Sequence, residues 1–228
     1  MTFLELCQRL SHECSNAGSG PSTTTGQTGI NLHLVQWINS AWMDVQRRRS
    51  DWLFMRGSFT VNTVASDGIY AYGDCADTTT SAAITAFRDW HKDTLKIYLT
   101  SGGVGGEQQL THIDYQTWYD IYNTGTQTDS FPQFFTVDYS KRIVLAPKPN
   151  TIYTMSGEYQ KNATELSGGS DTPELPAEYH EVIWYRALMK YARYYSAPEI
   201  YDDAKANYMR ISNEMERTQL PELRMCGE

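Results

Sequence analysis

Five histidines, His12, His33, His91, His112 and His180, are the side chains best suited to proton transfer or metal ligation near neutral pH. No two stand at the i and i+4 spacing of a zinc-binding helix, and no HExxH is present. Cys7, Cys14, Cys75 and Cys226 form no CxxC pair and have no histidine at ligand spacing. Cys7 and Cys14, seven apart, fall on one face of a helix, where a reduced thiol serves as a small core residue. The glycine-rich run SGGVGG at residues 101–106 lacks the Lys-Ser/Thr of a phosphate loop and reads as a hairpin tip. Asp202 with Asp203, and Glu214 with Glu216, pair carboxylates, but on an amphipathic helix such pairs form a solvated face. Arg47, Arg48 and Arg49 make the densest basic cluster. At the end of a helix they complement the dipole, and they can meet carboxylates of a partner or, second, DNA. The residues therefore point to no catalytic, metal or cofactor site, and the expectation is a protein that is not an enzyme.

The elements that position these residues follow from composition and periodicity. A chain of 228 residues with 40% hydrophobic and 13% aromatic content can bury a real core. Its formal charge of -8 argues against general nucleic-acid binding. No apolar run approaches the ~20 residues of a membrane span, and no signal-peptide pattern precedes the first helix, so a soluble protein made in a cytoplasm is expected.

Thr2 and Glu5 form a capping box for a helix whose stripe is Phe3, Leu6, Cys7, Leu10 and Cys14. Residues 15–29, rich in Ser, Thr and Gly, form a loop. Asn31 is the expected N-cap of a long helix that buries Leu34, Val35, Ile38, Ala41, Trp42, Val45 and Trp52. Trp37 and Met43 lie off that face, which implies a second contact, either with another element or with a neighbouring subunit, the neighbour slightly favoured.

After Gly57 the period changes to two: Phe59, Val61 and Thr63 alternate with polar neighbours, as in a half-buried strand. Further strand-like pieces at residues 69–72, 95–100, 134–138, 142–146 and 151–159 are separated by turn signals, and the last three suggest a meander. Asp114 can cap a short helix, YQTWYDIY, whose Tyr115, Trp118, Tyr119 and Tyr122 are spaced to lie against a sheet.

Residues 175–221 read as a helical hairpin. Pro176 suits the first turn of a helix that runs to about Tyr195 and buries Ile183, Trp184, Ala187, Leu188, Tyr191 and Tyr195. Ser196 and Glu199 have capping-box spacing with Pro198 in the first turn, and Tyr201, Ala204, Tyr208, Ile211 and Met215 then form a seam. The expected fold class is α+β: residues 1–56 and 172–228 form a discontinuous helical bundle, and residues 57–171 an inserted antiparallel β domain with a short helix near 114–122.

Sixteen Tyr and six Trp exceed what one small core needs, and both types are enriched at interfaces. Four blocks then stand in a familiar order: NLHLVQWINSAWMDVQRRRSDWLFMRGSFT, LTHIDYQTWYDIY, FPQFFTVDYSKRIVLAPKPNTIYTMSGEYQ, and LPAEYHEVIWYRALMKYARY with AKANYMRIS. In that order the chain resembles the head-to-tail adaptor (connector, or head-completion) proteins of tailed bacteriophages, including the tail-tubular-protein-A-like adaptors of short-tailed phages. The resemblance implies a structural virion protein made in the host cytoplasm and placed at the neck. It implies a ring of copies, commonly dodecameric, that binds the portal protein, meets a tail or nozzle protein and continues the DNA channel. Genomic DNA would pass without sequence-specific binding, and neither a membrane nor a cofactor is implied. A C-terminal extension that docks on the portal would correspond to Leu220, Pro221, Leu223 and Met225, and Arg47, Arg48 and Arg49 join them as candidate portal or subunit contacts. The alternatives are a tail-completion or tail-tube protein, a DNA-binding packaging accessory that uses the arginines, and a small virion hydrolase.

Overall fold

A computed structural model describes residues 1–14 and 20–221. The chain divides into two compact units, one of Met1–Met55 with Ala163–Glu228 and one of Arg56–Asn162. The fold is α+β, with helices at both ends of the chain and β structure between them.

The helical unit holds α1 (Phe3–Glu13), α2 (Gly29–Arg47), α4 (Glu181–Tyr194) and α5 (Pro198–Gln219). Thr2 and Glu5 close the capping box of α1, each bonding the other's backbone N–H at 3.3 and 2.8 Å. Phe3, Leu6, Cys7, Leu10 and Cys14 are all buried. They join Leu34, Ile38, Ala41, Trp42, Val45 and Trp52 of the second segment and the stripes of α4 and α5 in one core. Side-chain pairs fix the directions. Asp44 of α2 meets Arg186 and Lys190 of α4 at 3.0 and 2.8 Å, while Trp37 meets Tyr194, so these helices run antiparallel. At one end of the α4–α5 hairpin Thr218 donates to the Tyr179 hydroxyl at 2.9 Å, and at the other Arg193 lies 5.2 Å from the Tyr201 ring. The seam Ala204, Tyr208, Ile211 and Met215 is buried, with Tyr201 half-buried beside it.

Four expectations about helix ends and faces are corrected. Asn31 is inside the first turn of α2: Thr28 is the N-cap, without a side-chain bond, because Gly29 at φ 57° turns the chain into the helix earlier. Ser196 does not cap α5. It sits at φ 53° and closes α4 instead, with its N–H on the Arg193 carbonyl and the Ala197 N–H on the Ala192 carbonyl at 2.9 Å. That is the double closure of a Schellman motif, and the N-cap of α5 is Ala197 with Pro198 following. Trp37 finds its second contact within the unit, stacking on His33 at 5.4 Å and meeting Tyr191 edge-on at 5.8 Å. Pro176 precedes a short 3-10 turn, Ala177–Tyr179, and α4 begins only at Glu181.

The segment that returns from the β unit is pinned to the helices by two amides. Asn39 donates to the Leu166 carbonyl and accepts from its N–H, both at 3.0 Å. Gln46, seven residues on, does the same with Thr164 at 2.9 and 3.0 Å. Each amide satisfies a peptide group as a neighbouring strand would.

The β unit holds two sheets. The first has the order β3 (Ala76–Asp77), β1 (Arg56–Asn62), β9 (Tyr153–Gln160), β4 (Asp89–Leu99), β5 (Gln108–Gln109), all antiparallel. The second has the order β2 (Ile69–Tyr70), β8 (Ile143–Ala146), β7 (Phe134–Val137), β6 (Thr111–His112), antiparallel except for β6 with β7. Phe59, Leu95, Ile97 and Met155 of the first sheet and Phe135, Ile143 and Leu145 of the second share one core. The expected meander is corrected: β7 and β8 form a hairpin, but β9 leaves for the other sheet and lies between β1 and β4. Gly57 is a close-approach position, since a Cβ there would stand 2.6 Å from the Tyr159 ring. That ring crosses the strand so that its hydroxyl donates to Asp77 at 2.7 Å. The run SGGVGG makes two 3-10 turns between β4 and β5, at the hairpin tip. Helix α3 (Tyr115–Tyr122) is capped by Asp114, which accepts from the Thr117 N–H at 3.0 Å. Only Trp118 and Tyr122 face inward; Tyr115 and Tyr119 are exposed, because an eight-residue helix lying on a sheet can bury one row.

Candidate assembly interface

The arginine cluster and the C-terminal segment, far apart in sequence, meet at one end of the helical unit. Because α2 and α5 both run antiparallel to α4, their C-terminal ends lie together. Arg48 Nε reaches Glu216 at 2.7 Å and Arg49 reaches the other carboxylate oxygen at 2.8 Å. Arg48 also donates to the Tyr208 hydroxyl at 3.2 Å and lies 5.6 Å from its ring. The Arg49 hydrogen bond, against the opposing effect of burial, and then the Arg48 bond hold the Glu216 carboxyl below its ordinary pKa. One turn beyond Glu216, Leu220 ends α5 and packs against the helical core, with Pro221 half-buried beside it. Leu223 and Met225 lie outside the described residues. Arg47 is exposed and projects from the last turn of α2. Two of the three arginines thus latch α2 to α5, and Arg47 extends the same end of the unit outward.

This end also carries His180, which is 1% exposed. Its Nε2 lies 2.8 Å from the Leu175 carbonyl and its Nδ1 lies 2.7 Å from the Met1 amine. Burial, reinforced by the adjacent amine charge, lowers its pKa against the hydrogen bond to Leu175. The opposite end carries an aromatic group of another kind: Tyr194 and Tyr195 are more than half exposed and lie against His33, Trp37 and Tyr191.

The described cysteines and Asp77 are engaged in packing. Cys7, Cys14 and Cys75 are buried free thiols whose pKa burial pushes up to about 12; Cys226 lies outside the described residues. Asp77 accepts from Tyr159 and from the N–H groups of Thr79 and Thr80 at 2.8 and 3.0 Å. Burial raises its pKa, but these bonds outweigh that and hold it below the usual range. Asp202, Asp203 and Glu214 are exposed on α5. Among the described residues no group of three or more His, Cys, Asp or Glu is placed to hold a metal ion, and no helix is long and apolar enough to cross a membrane.

The sequence reading missed the latch on Glu216, which spans 168 residues from Arg48. It also missed Tyr139, 87% exposed in the turn between β7 and β8. The available signal was an aromatic residue inside the turn DYSKR, where small polar residues suffice. A family model described as SU10 adaptor protein matches residues 1–224. No curated protein matches the chain.

Proposed function

The chain belongs to the SU10 adaptor protein family, structural adaptors of the phage neck, and from that membership we propose that its copies form a ring, commonly dodecameric, that joins the portal to the tail. The ring would continue the DNA channel, with a tail or nozzle protein on its far side. The observation that carries this reading is the family match along nearly the whole chain, residues 1–224, across both the helical and the β unit.

The end of the helical unit that carries Arg47, Leu220 and Pro221 is the proposed portal-facing surface. Arg49 and Arg48 are tied to Glu216 there, so they fix the α2–α5 angle, while Arg47 is available to a partner's carboxylate. The net charge of -8 per copy gives a twelve-membered ring on the order of 100 negative charges, which keeps a passing duplex from adhering to the channel wall. A channel wall found to be neutral or basic contradicts that part of the reading.

The test is co-sedimentation of the purified protein with portal assemblies. The full chain is expected to co-sediment, and Arg47→Ala to weaken binding about tenfold while unfolding with unchanged stability. Wild-type protein that stays in the supernatant at every concentration contradicts the reading.

A further inference from the structure

One flank of the α4–α5 hairpin carries a row of cations that the chain only half neutralises. Arg186, Lys190 and Arg193 follow one another on α4 at intervals of four and three, so they share one row of the helix. Arg186 and Lys190 divide a single carboxylate, Asp44 of α2, at 3.0 and 2.8 Å. Arg48 and Arg49 divide Glu216 of α5 in the same way. The two groups are continuous, because the Arg48 and Arg186 guanidiniums lie 5.6 and 5.7 Å from the same Tyr208 ring. Arg193 extends the row and meets the Tyr201 hydroxyl at 3.0 Å rather than a carboxylate. Five cations thus face two carboxylates, while Lys205 and Asp202, exposed on α5, offset each other.

The other flank of the hairpin, along which α1 lies, has the opposite sign. Arg9 of α1 stands there 5.4 Å from the Trp184 ring and pairs with Glu13 at 3.0 Å. Tyr185, stacked on Trp184, marks the charge: burial and then the carboxylates of Glu181, Glu13 and Asp203 push its pKa up, against Arg210. Glu214, eleven residues or three turns beyond Asp203, lies on the same row of α5. Glu181, Asp203 and Glu214 are all exposed. Arg9 and Arg210 offset two of these four carboxylates.

We propose that the cation row between α2, α4 and α5 of one copy docks on the Glu181–Asp203–Glu214 flank of the next. Charge selects this occupant: copies of net charge -8 repel one another at large, whereas these two flanks attract. Asp44 and Glu216 interrupt the row, which opposes the unbroken charge of a phosphate backbone but suits a mixed protein surface that carries Arg210. The two flanks are different surfaces of one chain, so the contact is heterologous and closes a ring when its rotation divides the circle. The inference rests on the ring reading and names the surfaces that would build it.

Arg193 and Asp203 are exposed and stand outside the Asp44 and Glu216 ion pairs, so their charges can be reversed in a folded chain. Arg193→Glu and Asp203→Lys should each raise the concentration for half-assembly, read by sedimentation velocity, about tenfold or more, with urea midpoints nearly unchanged. The two substitutions combined in one chain should recover most of that loss, because every interface then carries the reversed pair. Wild-type assembly should also weaken about tenfold between about 0.05 and about 0.5 M salt. Rings that form equally well in every variant, or a double variant that adds the two losses, overturn this contact and leave the adaptor reading intact. Retention on duplex DNA that Arg193→Glu abolishes, with assembly unchanged, gives the row to nucleic acid and overturns the contact as well. Protein that never assembles, with or without portal, overturns both.

Discussion

Replacing Asn39 and Gln46 together by Leu tests whether the return segment is held by side-chain amides. Each amide makes one donated and one accepted bond to a single residue, Leu166 or Thr164. At about 0.5–1.5 kcal/mol per bond, each pair contributes ~1–3 kcal/mol. Thr164 is exposed, so water reclaims part of its loss, whereas Leu166 is buried and leaves its peptide groups unsatisfied. Asn39→Leu should therefore cost more than Gln46→Leu, although Gln46 is the more buried side chain. Seven residues of helix separate the sites by ~10 Å, so the two costs should add to within about half a kcal/mol, for a total of ~2–5 kcal/mol. Urea unfolding followed in the far-UV circular dichroism of the helices should show the midpoint of the double variant falling by about 1–2 M at unchanged slope. A double variant within about 0.5 kcal/mol of wild type, or Gln46→Leu costing the more, refutes the reasoning.

Two further outcomes follow from local geometry and charge. Ser196→Gly should stabilise the α4–α5 hairpin by about 0.5–1 kcal/mol in the same assay, because Ser196 holds a left-handed conformation that glycine adopts without a Cβ clash; a loss of stability there refutes the Schellman assignment. Acidification should act in two windows. The lowered pKa of buried His180 means that the unfolded chain binds the proton first, so its share of stability is present above the ordinary histidine range and is lost as pH falls through the folded value. Glu216, also lowered, loses its share only once pH falls below the ordinary carboxylate range. His180→Gln should therefore flatten the pH dependence of the unfolding midpoint in the upper window alone, and a variant that flattens only the lower window contradicts the assignment.

What was legible in the sequence was local. The Thr2–Glu5 box, the Asp114 cap and the seam from Tyr201 to Met215 depend on contacts a few residues apart, and periodicity or a short motif suffices to place them. Ser196 and Glu199 have the same spacing as Thr2 and Glu5, yet the chain must reverse at Ser196, and closing α4 overrides capping α5. The segment YTMSGEYQ was readable as a strand, but its partners are about 60 and 95 residues back, so the sheet it joins was not. The same distance hid the pairing of the arginines with α5: nothing near Arg48 in the sequence names Glu216, and nothing near Leu166 names Asn39. The run DYSKR was recognisable as a turn, while the exposure of Tyr139 follows from the Asp138 network that only the folded turn assembles.

Electron microscopy of the purified protein, alone and mixed with a cognate portal, tests the central claim most directly. A closed ring seated on the portal and coaxial with its channel, with the end bearing Arg47 and Leu220 against it, is the predicted result. A protein that remains monomeric and indifferent to the portal at every concentration contradicts the account.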